Sequence, residues 1–131
     1  MQIRKGLKIV VLGILIWMVP FLFGFLLYSE TGELNVDIFL FKSIMMINLA
    51  IITAFSINVY LGKAALSSLK NSAIVGVLWM LIVLLLDVLI LLPRTTMDST
   101  AYINQIGLRY MIIPIICLSS GYSLMKQKRL P

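Results

Sequence analysis

The chain has 131 residues, 61% apolar and 12% charged, with a mean hydropathy of +1.07 and a formal net charge of +6. Water-soluble domains average about 45–50% apolar and about 25% charged residues, so this composition excludes a single soluble domain. The basic excess does not indicate nucleic acid as a partner, because the cations stand at the ends of apolar blocks instead of forming one stripe with interleaved aromatics.

Four apolar blocks, each close to the ~20 residues needed to cross a ~30 Å hydrocarbon core, predict helices over residues 7–28, 38–60, 73–92 and 101–125. In lipid every peptide N–H and C=O must be paired within its own element, and no alternating pattern of a closed barrel is visible. The expected fold is therefore all-α, an integral membrane four-helix bundle in a single domain spanning residues 1–131. The connections at 29–37, 61–72 and 93–100 are too short to fold separately.

The first block follows Arg4, Lys5 and Lys8, as a signal peptide would. Its apolar run exceeds the roughly 7–15 residues of a signal core, and Tyr28-Ser29-Glu30 is no small-x-small cleavage site, so a retained anchor is expected. Gly6, Gly13, Trp17, Pro20, Gly24 and Tyr28 share one stripe, the expected inner face. Pro20 should kink the helix and free the carbonyl of Ile16. Asp37 is placed to cap the second helix, whose small residues Ser43, Ala50 and Ala54 run beside Lys42, Thr53 and Ser56. Asn48 falls near the midplane at about the depth of Trp17, and a hydrogen bond between the two would join the first two helices.

Ser72 is the expected cap of the third helix, which aligns Gly76, Met80, Val83 and Asp87 and stops before Pro93. The Asp98-Ser99-Thr100 run should cap the fourth, where Tyr102, Gln105, Arg109, Ile116 and Ser120 share a face. Pro114 would free the carbonyl of Tyr110 there, and Cys117 and Gly121, four apart, suit close packing. Tyr28, Tyr60, Tyr102 and Tyr122 lie near helix ends, where an amphipathic ring prefers the interface.

Of the eleven Lys and Arg residues, eight stand at the N-terminus (Arg4, Lys5, Lys8), in the second connection (Lys63, Lys70) and at the C-terminus (Lys126, Lys128, Arg129). Glu30, Glu33, Asp37 and Asp98 stand on the other side with Arg94. The positive-inside rule then predicts both termini in the cytoplasm. The basic C-terminal tail would add about 1 kcal/mol per base of attraction to anionic headgroups.

Three charges fall inside the blocks: Lys42, Asp87 and Arg109, all in the expected outer half. Asp87 lies about 9 Å in from Pro93 and Arg109 about 12 Å in from Ala101, at 1.5 Å rise per residue. An unpaired charge there costs about 2.5–3.5 kcal/mol, so a pair is expected. One reading is an Asp87–Arg109 ion pair locking the third and fourth helices, with Lys42 reaching to headgroups or Asp37. The other is a binding site open to the outside, with Asp87 holding a proton or cation and the two bases attracting an anion.

Histidine is absent, which removes Ser-His and Cys-His nucleophile pairs, HExxH zinc sites and His-ligated haem, and no glycine-rich phosphate loop occurs. Ser119-Ser120-Gly121 has no base nearby in sequence. The eight methionines are scattered, and the single cysteine, Cys117, can form neither an internal disulfide nor a metal cluster. No enzyme, cofactor or metal is therefore expected. The expected partners are the lipid bilayer and either further copies of the chain or another membrane protein.

Residues 13–18 (Gly-Ile-Leu-Ile-Trp-Met) echo residues 76–80 (Gly-Val-Leu-Trp-Met), as a parallel repeat about the membrane normal or as chance similarity of apolar text. Trp17-Met18-Val19-Pro20-Phe21, Asp87 and Ile106-Gly107-Leu108-Arg109-Tyr110-Met111-Ile112-Ile113-Pro114 resemble a family of small four-helix membrane proteins of bacteria and archaea. That resemblance implies a prokaryotic cytoplasmic membrane and carries no activity or ligand. Small multidrug exporters share the helix count but rely on a Glu in their first helix, and this first helix has no acidic residue. Two functions follow: an accessory or interaction component held by its buried charges, or an oligomeric transporter or channel component using Lys42, Asp87 and Arg109.

Overall fold

The computed structural model describes residues 2–61, 69–91, 93 and 98–129. Expectations for Lys63 and Arg94 lie outside these, as do the side chains of Gln105, Lys128 and Arg129. Helix α1 spans Gln2–Leu27, α2 Ile38–Leu61 and α3 Leu69–Leu86, the last continued by a π turn over Asp87–Leu91. The chain then forms a short α4, Ser99–Gln105, a 3-10 segment over Gly107–Met111, and α5, Ile112–Arg129.

Four stretches are long and apolar enough to cross a membrane: Ile3–Leu27, Ile38–Leu61, Leu69–Ile90 and Gly107–Gln127. Large apolar side chains lie exposed along all of them, among them Phe25, Phe39, Ile51, Leu85 and Ile115. A surface of that kind is stable only against hydrocarbon. The molecule is an all-α, four-helix membrane bundle.

Packing runs in a square, α1 beside α2 and α3, and α5 beside α2 and α3. Helices α1 and α5 are therefore diagonal, and they run in opposite directions. A two-fold axis along the bundle would exchange antiparallel helices, so the two hairpins are not related by the parallel repeat that residues 13–18 and 76–80 suggested.

Two caps follow the sequence. Asp37 Oδ2 accepts the amides of Phe39 (3.1 Å) and Leu40 (3.4 Å), and Asp98 Oδ1 accepts that of Ala101 (2.7 Å). Ser72 does not act as expected, because α3 already begins at Leu69 and encloses it. Its hydroxyl is buried without a partner among the described residues, as is that of Ser56. Between α1 and α2, Gly32 takes a φ of +85°, which lets the amide of Ser29 reach the carbonyl of Glu33 (2.7 Å) in a tight reversal.

The fourth crossing departs most from expectation, being broken instead of continuous. In an unbroken α-helix the Pro114 ring would clash with the carbonyl of Tyr110. Ile106 leaves helical geometry (φ −120°, ψ −51°), residues 107–111 wind as 3-10, and Pro114 enters the first turn of α5, where its missing N–H costs nothing. Five residues at 3.0 instead of 3.6 per turn rotate the following helix by about 100°. Below the break Ile113, Cys117 and Gly121 are buried, whereas Ile116 and Ser120, expected on the inner face, are only half-buried.

The half of the bundle nearer the termini, called here the termini half, is tightly filled. Trp79 is fully buried there, its indole N–H donating 2.8 Å to the carbonyl of Ile9 and its ring meeting Tyr60 edge-on at 6.3 Å. A Cβ on Gly13 would stand 2.9 Å from Ile82, and one on Gly76 would stand 2.8 Å from the Pro114 backbone, so both glycines mark close helix approach. Lys8 donates 3.0 Å to the carbonyl of Val59, one of the orphan carbonyls ending α2. The inner face of α2 is Leu49, Thr53, Ser56, Ile57 and Tyr60, with Ser43 exposed and Ala50 and Ala54 only flanking. On α1, Gly13, Pro20 and Gly24 are buried as expected, whereas Gly6 and Tyr28 are exposed.

Candidate functional site

The opposite half, toward residues 28–37, Pro93 and Asp98, is called here the loop half, and it holds a cavity of about 380 Å³. All four crossings line it: α1 from Ile16 to Phe25 with Tyr28 just past its end, α2 from Ile38 to Leu49, α3 with Val83, and the fourth crossing with Ile106, Arg109 and Tyr110. Lys42, Asp87 and Arg109 all stand on its wall. The three charges singled out by sequence thus meet at one place.

Asp87 opens the π turn that ends the third crossing. Such single-turn widenings of a helix recur at functional sites. The residue is 2% exposed, and its carboxylate accepts three hydrogen bonds. Trp17 Nε1 donates to Oδ1 at 2.6 Å, Tyr102 Oη donates to Oδ2 at 2.8 Å, and Tyr110 Oη donates to the same Oδ2. A carboxylate only accepts, so three convergent donors suit it. These bonds tie α1, α4 and the 3-10 segment to the third crossing.

The expected Asp87–Arg109 ion pair is not formed. Both carboxylate oxygens are occupied by neutral donors, and Arg109, though on the same wall, is not among them. Nor does Lys42 reach Asp37, whose carboxylate caps α2. Both cations are partly buried, and neither donates a hydrogen bond to a described residue. The expected Trp17–Asn48 bond is also replaced. Trp17 turns to Asp87, while Asn48 Nδ2 is buried without a partner among the described residues.

Tyr110 was not anticipated as an Asp87 partner, and Trp17 and Tyr102 were assigned other roles. One signal was available: an indole N–H deep in the membrane seeks the strongest acceptor within reach, and a carboxylate outranks an amide. Tyr110 carried no such signal, because its direction depends on the 3-10 winding.

The break at Ile106 also shapes the opening. The 3-10 segment packs on α3, with Gly107 near Leu84, whereas α2 meets the fourth crossing mainly through α5 below. The remaining wall is apolar, with Trp17 stacked on Phe21 at 4.7 Å and Tyr28 edge-on to Phe41 at 5.8 Å. Beneath it, Ile16, Ile57, Val83 and Ile113 are buried.

A four-crossing bundle with an apolar outer surface is a multi-pass membrane protein. No protein-family profile, curated protein or solved structure matches the chain.

Proposed function

We propose that this protein is a ligand-binding component of the membrane, a small transporter or channel subunit, whose site is the cavity walled by Lys42, Asp87 and Arg109. The observation that carries the reading is the pair of cations on that wall without a carboxylate partner among the described residues. A guanidinium at membrane depth stays charged and costs about 2.5–3.5 kcal/mol on insertion scales unless something compensates it. Charge kept at such a cost is what a binding site requires and a scaffold does not. The distribution of cations supports a cytoplasmic membrane with both termini inside, so that the cavity faces outward.

An accessory role has its own support in Asp87, which clamps three elements at once. Substituting Asp87 cannot separate the two, since loss of its three bonds destabilises the bundle under either. The discriminating variant is Lys42→Gln/Arg109→Gln, assayed for unfolding in mixed micelles without ligand. Binding-site cations leave stability unchanged or raise it when neutralised. Cations that hold the fold together lower it by about 3–5 kcal/mol, the cost of breaking a buried pair, and that result sinks the ligand-binding reading.

A further inference from the structure

We infer that the cavity takes an amphiphilic anion: a single carboxylate or phosphate headgroup carried on a hydrocarbon chain. This rests on the ligand-binding reading and adds the chemical class of the ligand.

Charge gives the first half of the argument. Two cations and one carboxylate share the wall, and Trp17, Tyr102 and Tyr110 already occupy the carboxylate oxygens. The outer acids nearest in sequence are also engaged, Asp37 by the amides of α2 and Asp98 by that of Ala101. One positive charge is left over inside the bundle, and neither the fork of Arg109 nor the ammonium of Lys42 donates to a described residue. A guanidinium fork matches the planar oxygens of a carboxylate or phosphate.

Shape gives the second half. Apart from these groups the cavity is walled by apolar side chains such as Ile16, Phe21, Met45, Leu49 and Val83. A small hydrated anion would leave that surface unmatched. From Lys42 to Leu49 the wall descends seven residues of α2, about 10 Å at 1.5 Å per residue, a depth suited to an alkyl tail below a headgroup held by the cations. The volume, about 380 Å³, is at the small end of ligand pockets, which run to about 300–1,000 Å³, and suits one chain.

The test uses the full chain in phosphatidylcholine nanodiscs, with radiolabelled decanoate in equilibrium dialysis corrected by empty discs. Saturable binding of one decanoate per chain is expected, displaced by decyl phosphate but not by decyltrimethylammonium, decanol or inorganic phosphate. Lys42→Gln and Arg109→Gln should each weaken binding about tenfold or more, the loss of a charge-assisted hydrogen bond, and Arg109→Lys should restore part of it. Trp17 lines the cavity while Trp79 does not, so fluorescence should report the same saturation.

Equal displacement by decanol or decyltrimethylammonium overturns the anion assignment while leaving a ligand site. Equal displacement by inorganic phosphate overturns the need for a chain. Unchanged decanoate binding in the double variant overturns the site, and no saturable binding overturns the inference. Repeating the assay in phosphatidylglycerol discs separates two supporting cases: suppressed decanoate uptake identifies a membrane lipid as the source, and unsuppressed uptake a free amphiphile.

Discussion

The two halves of the bundle use the same device and reach opposite results. In each, an indole N–H crosses between the parallel first and third crossings: Trp79 reaches the Ile9 carbonyl at 2.8 Å in the termini half, and Trp17 reaches Asp87 at 2.6 Å in the loop half. Around Trp79 the space is filled, whereas beside Trp17 it stays open as a cavity. The acceptor makes the difference. A backbone carbonyl is neutral and needs nothing further, so apolar side chains can close over it. A carboxylate is accompanied by two cations on the same wall, and charged heads resist dry packing.

If that contrast holds, substitutions of one kind should have unequal effects in the two halves. The largest effect is expected from Trp79→Ala, which removes a fully buried ring and its hydrogen bond, at about 3–5 kcal/mol on the scale of large-to-small core changes. Unfolding in mixed micelles measures it, and a loss under 1 kcal/mol on that scale would show the termini half to be loosely packed after all.

Glycine substitutions sharpen the comparison. Gly76→Ala drives a Cβ to 2.8 Å from the Pro114 backbone, which cannot yield locally, and should cost about 1–3 kcal/mol. Gly24→Ala meets only the flexible end of Met45 at 3.4 Å and should fall within about 0.5 kcal/mol of neutral. Equal losses in the same unfolding assay would erase the distinction between the halves. The smallest effect belongs to Lys8→Met, which leaves the Val59 carbonyl uncapped and removes a cation from the end of α2, worth about 0.3–1 kcal/mol. Hydrogen exchange should show the added fraying confined to the last turn of α2.

Much of this was legible in the sequence, for reasons that can be named. Helix lengths, the Asp37 and Asp98 caps and the third crossing's inner face of Gly76, Val83 and Asp87 follow from period and composition. So does the gathering of Lys42, Asp87 and Arg109, because charges in hydrocarbon must turn inward. Their pairing was not legible. Whether Asp87 meets Arg109 or Tyr110 is decided by the 3-10 winding at 107–111, and periodicity arguments assume 3.6 residues per turn throughout. The inner face of α2 was misjudged for another reason. Thr53 and Ser56 are buried as the sequence suggests, but the rest of that face is Leu49, Ile57 and Tyr60, which pack by volume, and not the smaller Ser43, Ala50 and Ala54.

The tight winding of residues 107–111 has a mechanical consequence. Relaxing those five residues to an α-helix would turn α5 by about 100° against α4 and shorten the crossing by about 2.5 Å. Cys117 would then swing off Gly76 while Tyr110 swung off Asp87. The deep seam between α3 and α5 and the carboxylate's hydrogen bonds, set in opposite halves of the bundle, are therefore geared to a single rotation.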